Sequence, residues 1–95
     1  MKPMVVLSIL ESDAEATASR MADAPPGCAL IEIRADHLGA ADLPGLIAGA
    51  PGEVLVTVRP VGEGGGFDGP EDERRRMIVT ALDAGARFEI GGAHV

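Results

Sequence analysis

Short apolar runs alternate with polar, helix-compatible stretches along this chain. Val5 to Leu10 (VVLSIL) is continuous enough to read as a fully buried strand. Ser12-Asp13-Ala14-Glu15 has the spacing of a capping box, with the serine accepting from backbone and the glutamate reaching back. A helix is predicted from there to about Ala24, ended by Pro25-Pro26-Gly27. Its alanine-rich side, Ala14, Ala18, Met21 and Ala22, suits close packing on a sheet. Ala29 to Arg34 (ALIEIR) reads as a second strand, left through Ala35-Asp36-His37-Leu38. A short helix between Asp42 and Ala48 is weakened by Pro44, Gly45 and Gly49, and Pro51-Gly52 marks a turn.

The third strand, Val54 to Arg59, runs into the loop Val61-Gly62-Glu63-Gly64-Gly65-Gly66, which sets one carboxylate among four glycines. The helix after it has the best local support. Pro70 suits its first turn, and Glu71, Asp72 and Glu73 favour the positive helix end. Glu71–Arg75 and Asp72–Arg76 have pairing spacing, so Arg74-Arg75-Arg76 reads as a solvated face. Ile78, Ala81 and Leu82 form its predicted buried stripe, and Gly85 its cap. Arg87-Phe88-Glu89-Ile90 opens a fourth strand, and Gly91 to Val95 reads as irregular.

The predicted order β-α-β-α-β-α-β implies a parallel sheet with right-handed crossovers. In such sheets ligands bind beyond the carboxyl ends of the strands. Alternation puts Val5, Leu7, Ile9, Ile31, Ile33, Val54, Val56 and Val58 on one face, and Ser8, Glu32, Arg34, Thr57 and Arg59 on the other. Glu63 would lie in the loop above them. One reading of Glu32, Arg34 and Arg59 is a buried ion-pair network that satisfies only itself, although desolvation leaves such networks little net stability. A ligand site explains the cluster more economically.

Composition narrows the classes. Ninety-five residues make one domain, 46% of it apolar, with two Phe and neither Tyr nor Trp. A formal charge of −7 opposes a nucleic-acid partner but not a small anion met by converging arginines. Cys28 stands alone, which excludes an internal disulfide and fits a cytoplasmic setting, and it reads as a buried thiol. No run approaches a membrane span, and the amino terminus lacks a signal-peptide pattern. The glycine loop lacks the lysine and spacing of a phosphate loop. No His/Cys/carboxylate cluster suggests a metal, and His37 reads as a locally bonded loop histidine.

Several segments together resemble the amino-terminal half of the type I 3-dehydroquinate dehydratases. They are Val6-Leu7-Ser8, Ile31-Glu32-Ile33-Arg34-Ala35-Asp36, Thr57-Val58-Arg59-Pro60, Glu63-Gly64-Gly65 and the acidic-basic start of the third helix. The resemblance implies an eight-stranded (β/α) barrel, a TIM barrel, of which this α/β chain carries four strands and three helices. It implies dehydration of 3-dehydroquinate in the shikimate pathway, through a Schiff-base lysine and a proton-shuttling histidine, with no cofactor. On matching positions, Glu32, Arg34 and Arg59 would bind substrate, Ser8 would line the pocket, Glu63 would tune the histidine, and Asp36 would support the site. That lysine and histidine belong to later strands, and neither Lys2 nor His94 stands in their place. The family's acidic pair on the fourth strand is reduced to at most Glu89. The expectation is therefore a fragment, a half-barrel whose open face and edges favour self-association or a separate carboxyl-terminal half.

Overall fold

The computed structural model describes residues 5–90 and 93–94, from Phe88 onward by backbone alone. Five strands and three α-helices follow one another: β1 (Val5–Leu10), α1 (Ala14–Ala22), β2 (Cys28–Arg34), α2 (Leu43–Ala48), β3 (Glu53–Thr57), α3 (Glu71–Asp83), β4 (Arg87–Ile90) and β5 (Ala93–His94). The sheet order is β1-β2-β3-β4-β5. The first four strands are parallel neighbours, and β5 joins β4 antiparallel. His94, expected in an irregular tail, thus has its backbone in a strand, while Lys2 lies outside the described residues.

The sequential order puts the helices in one layer. Each crossover of the same hand returns on the same side of the sheet, and no strand doubles back to send a helix to the other side. Accordingly α2 packs against both α1 and α3. The core lies between that layer and one face of the sheet. Ile9, Ile31, Ile33, Val54 and Val56 meet Met21 of α1, Leu43 and Leu46 of α2, and Met77 and Ala81 of α3. Ladder register aligns Ile9, Ile33 and Val56 across three strands, so the β-branched rows form one continuous apolar surface. Among the described residues no helix covers the opposite face, and Val6 and Leu10 are each 48% exposed. Among the described residues, no helix is long and apolar enough to cross a membrane.

Several local expectations change in detail. The cap of α1 is Asp13, whose side chain accepts from the Ala16 N–H at 2.8 Å, and not Ser12. Asp13 wins because its short carboxylate reaches that N–H directly and favours the positive helix end. The buried side of α1 is Thr17 and Met21, while Ala18 and Ala22 are exposed. The Thr17 hydroxyl is satisfied by donating to the Asp13 carbonyl at 2.8 Å. A one-turn 3₁₀ helix at Ala40–Asp42 precedes α2. Pro70 is the N-cap of α3, and Met77 with Ala81 forms its buried stripe, leaving Leu82 exposed. Arg76 pairs with Glu73 at 3.3 Å rather than with Asp72, and Glu71–Arg75 stands at 3.7 Å. Gly85, at φ +97°, closes the helix in the left-handed conformation that glycine favours. Cys28 is half-buried, its thiol donating to the Leu30 carbonyl at 3.4 Å.

Candidate functional site

The helix-free face carries the polar residues. Register pairs Ser8 with Glu32 and Leu10 with Arg34 between β1 and β2, and Glu32 with Leu55 and Arg34 with Thr57 between β2 and β3. Residues in register on parallel strands point the same way, so Ser8, Glu32, Arg34 and Thr57 share one surface near the carboxyl ends. Leu55 shares it too, an apolar floor among the polar groups, and it stands outside the helix-side core.

Glu32 is the centre of the first cluster. Its Oε1 accepts from the Ser8 hydroxyl at 2.7 Å, and its Oε2 accepts from the Thr57 hydroxyl at 3.4 Å. Three adjacent strands thereby each contribute one side chain. Two hydroxyls held against a carboxylate fix its rotamer while keeping lone pairs free for a further donor.

Asp36 is the centre of the second. It is 4% exposed just past the end of β2. Its Oδ1 accepts from the Arg59 N–H at 3.0 Å. Its Oδ2 accepts from the Gly66 N–H at 3.0 Å and from Arg34 Nη2 at 2.7 Å. Burial pushes this carboxyl up, but the Arg59 and Gly66 N–H groups and the Arg34 guanidinium outweigh it and hold it below its ordinary value. Arg34 is left with a buried Nε–H that has no partner among the described residues.

The ion-pair network of Glu32, Arg34 and Arg59, the alternative set against a ligand site, does not form. Glu32 goes to hydroxyls, Arg34 goes to Asp36, and Arg59 is exposed and contributes its backbone. Glu63 is exposed in a 3₁₀ turn at Val61–Glu63 and, among the described residues, makes no hydrogen bond to either cluster; its charge acts on Arg74. Arg74 departs from the solvated-face reading: its side chain is 18% exposed and grips Glu71 through Nε at 2.8 Å and Nη2 at 2.7 Å.

The glycine loop is built to fold back on itself. The Phe67 N–H donates to the Arg59 carbonyl at 3.0 Å, the Gly65 N–H to the Pro60 carbonyl at 2.9 Å, and the Val61 N–H to the Phe67 carbonyl at 2.9 Å. Phe67 itself is buried in the core. A Cβ at Gly65 would collide with the Arg59 carbonyl oxygen, and one at Gly66 would lie 2.6 Å from the His37 ring. Gly64, at φ +86°, makes the turn. His37, read as locally bonded, is instead exposed with its ring against Gly66. Asp36 is the residue whose importance pattern alone understated, because its partners Arg59 and Gly66 are distant in sequence and contribute backbone groups. No group of three or more His, Cys or carboxylates fit to hold a metal occurs among the described residues.

A family model described as type I 3-dehydroquinase matches residues 5–89, which include both clusters and the loop. A 3-dehydroquinate dehydratase from Desulfotalea psychrophila is 32% identical over 62 residues, covering 65% of this chain and 27% of that protein. The chloroplastic bifunctional 3-dehydroquinate dehydratase/shikimate dehydrogenase of Arabidopsis thaliana is 39% identical over 66 residues, covering 65% of this chain and 11% of that protein. The matched region is thus well under two thirds of the length of either relative.

Proposed function

The chain belongs to the type I 3-dehydroquinase family, and on that premise we propose that it contributes the substrate-holding part of a 3-dehydroquinate dehydratase. The reaction is a carbon–oxygen lyase step of the shikimate pathway, loss of water from 3-dehydroquinate to give 3-dehydroshikimate. The fold of the complete unit is a (β/α)₈ barrel, and the setting is the cytoplasm. The observation that carries this reading is Glu32 held between two hydroxyls beside Arg34, whose Nε–H has no acceptor among the described residues. Both lie on the helix-free face near the carboxyl ends of parallel strands, where α/β folds bind ligands. A buried unpaired donor costs on the order of 1–3 kcal/mol, and a ligand oxygen would offset it.

In this reading Glu32, Arg34 and Arg59 bind the hydroxyl and carboxylate groups of the substrate, and Ser8 lines the pocket by orienting Glu32. Glu63 tunes the proton-shuttling histidine. The covalent step needs a strand-borne lysine for the Schiff base, whereas Lys2, the chain's single lysine, precedes β1. Titration with 3-dehydroquinate, followed by amide NMR, is expected to move Ser8, Glu32, Arg34 and Arg59 while sparing α1. Glu32→Gln is expected to weaken that binding about tenfold, the range for a hydrogen bond to a charged group. Absence of any shift at these residues would sink the substrate assignment. The 95 residues alone should give no turnover, and borohydride trapping of an adduct on Lys2 would overturn the role assigned to an external lysine.

A second reading, a self-associating half-barrel, draws on the exposed Val6 and Leu10 of edge strand β1.

A further inference from the structure

Two cations assigned to substrate, Arg34 and Arg59, come from different strands and from very different settings. Arg34 is the last residue of β2, and Arg59 lies two residues past the end of β3, at the foot of a glycine loop. The β2–β3 ladder sets Arg34 opposite Thr57 and ends there, two residues short of Arg59. Beyond the ladder, one buried carboxylate joins them. Asp36 takes Arg34 by its side chain, Arg59 by its backbone, and the returning limb of the loop at Gly66.

The arrangement is over-determined in a way a casual loop contact is not. The two feet of the loop, Arg59 and Gly66, meet on opposite oxygens of the same group. Behind them, Phe67 anchors the loop in the core and bonds back to Arg59. Gly66 sits so close to Asp36 and His37 that a methyl there would be 3.5 Å from the Asp36 Cβ and 2.9 Å from the His37 Nε2. Among the described residues the guanidinium of Arg34 is held through Nη2, and its Nε–H has no acceptor.

We propose that Asp36 is a positioning residue that fixes the Arg34 side chain and the Arg59–Gly66 loop in one frame, so that both arginines meet the same ligand at a set spacing. The proposal rests on the assignment of Arg34 and Arg59 to substrate, but its core, the frame itself, is testable without any ligand. Charge matters as well as shape. The aspartate accepts three donors, and in Asp36→Asn the amide can replace at most one carboxylate oxygen as an acceptor. Its NH₂ must then face either the Arg59 N–H, or the Gly66 N–H together with the guanidinium.

The test is amide hydrogen exchange and NMR on the full chain and on Asp36→Asn. Protection of whichever of the Arg59 and Gly66 amides then faces the NH₂ is expected to fall about tenfold or more, in line with loss of a charge-assisted hydrogen bond. The Arg34 Nε signal should shift, while the β2 amides of Ile31 and Ile33 keep their protection. Unchanged exchange at Arg59 and Gly66 would overturn the frame. Should the variant unfold, the unsubstituted chain still decides the matter. The Arg59 and Gly66 amide shifts must follow the titration of the Asp36 carboxyl carbon with the same midpoint, and independent midpoints would overturn the proposal.

A ligand arm separates this inference from the functional assignment. In a double-mutant cycle on 3-dehydroquinate binding, Asp36→Asn should weaken binding severalfold alone and far less in an Arg34→Ala background. Additive losses would refute action through Arg34. If the unsubstituted chain shows no response to 3-dehydroquinate at all, the substrate assignment fails alone, and the exchange result still decides the frame.

Discussion

At the scale of single residues, the glycines of the loop have separable duties. Gly62 has open space where a side chain would go, whereas Gly65 lies against the Arg59 carbonyl with no room for a Cβ. The glycine count alone suggests a flexible cover over a ligand, but at Gly65 and Gly66 the cause is close packing of the loop on its own base. Gly62→Ala is therefore expected to be nearly neutral, within about 0.5 kcal/mol, while Gly65→Ala costs about 1–3 kcal/mol as backbone must shift. Urea midpoints of the two variants check this, and equal effects would mean that the loop is not held as described. Asp36 adds a pH dependence. Its folded pKa is below the ordinary value of 3.8, so its stabilisation is complete above that value and is lost as pH falls through it toward the folded pKa. Glu71, lowered mainly by its hydrogen bond to Arg74, loses its share in a neighbouring acidic range. Stability is expected to drop on acidification below about pH 4, and Asp36→Asn should flatten that drop, as followed by urea unfolding at a series of pH values.

At the scale of elements, the helix and strand order through β4 was legible because each apolar run is short, β-branched and bounded by proline, glycine or a cap, whereas β5 fell in the stretch read as irregular. The two faces of β2 were legible from strict alternation, Ile31 and Ile33 against Glu32 and Arg34, and register with β1 and β3 keeps them so. What periodicity could not resolve was which of several chemically suitable groups wins a local competition. Ser12 and Asp13 can both cap α1, and Ala18 and Thr17 can both face the sheet, yet the structure selects Asp13 and Thr17. Thr17 can be buried because its hydroxyl finds the Asp13 carbonyl inside the same helix, a solution that hydropathy does not register. Asp13→Ala should accordingly destabilise the chain by about 1 kcal/mol, the cost of a lost N-cap, and Ser12→Ala by much less. Thermal midpoints of the pair measure it, and the reverse order would restore the capping box. The site divides along the same line. Side-chain partners on adjacent strands, Ser8, Glu32 and Thr57, follow from alternation, but the Asp36 frame depends on backbone N–H groups whose placement only the folded loop determines.

At the scale of the whole molecule, the sheet is one-sided, and this separates the residues that hold the fold from those that face a ligand or partner. Leu43 is 0% exposed in the core between α2 and the sheet, while Val6 and Leu10 on β1 are each 48% exposed. For a domain whose total stability is on the order of 5–15 kcal/mol, Leu43→Ala should remove about 2–5 kcal/mol. If the chain is monomeric, Val6→Thr and Leu10→Thr should each change stability by no more than about 0.5 kcal/mol, because they leave little apolar surface newly hydrated. If two copies close their open faces on one another, those side chains become core. The threonine variants would then be costly, and the unfolding midpoint would rise with protein concentration, since association stabilises the folded state by mass action. The charge of −7 on 95 residues weighs against such pairing at low salt, through self-repulsion. Measuring the urea midpoint of the unsubstituted chain and both threonine variants over a hundredfold concentration range, at low and at moderate salt, therefore decides between the two states. Concentration-independent midpoints with neutral threonine variants would eliminate the self-associating half-barrel and leave the polar face open to a substrate.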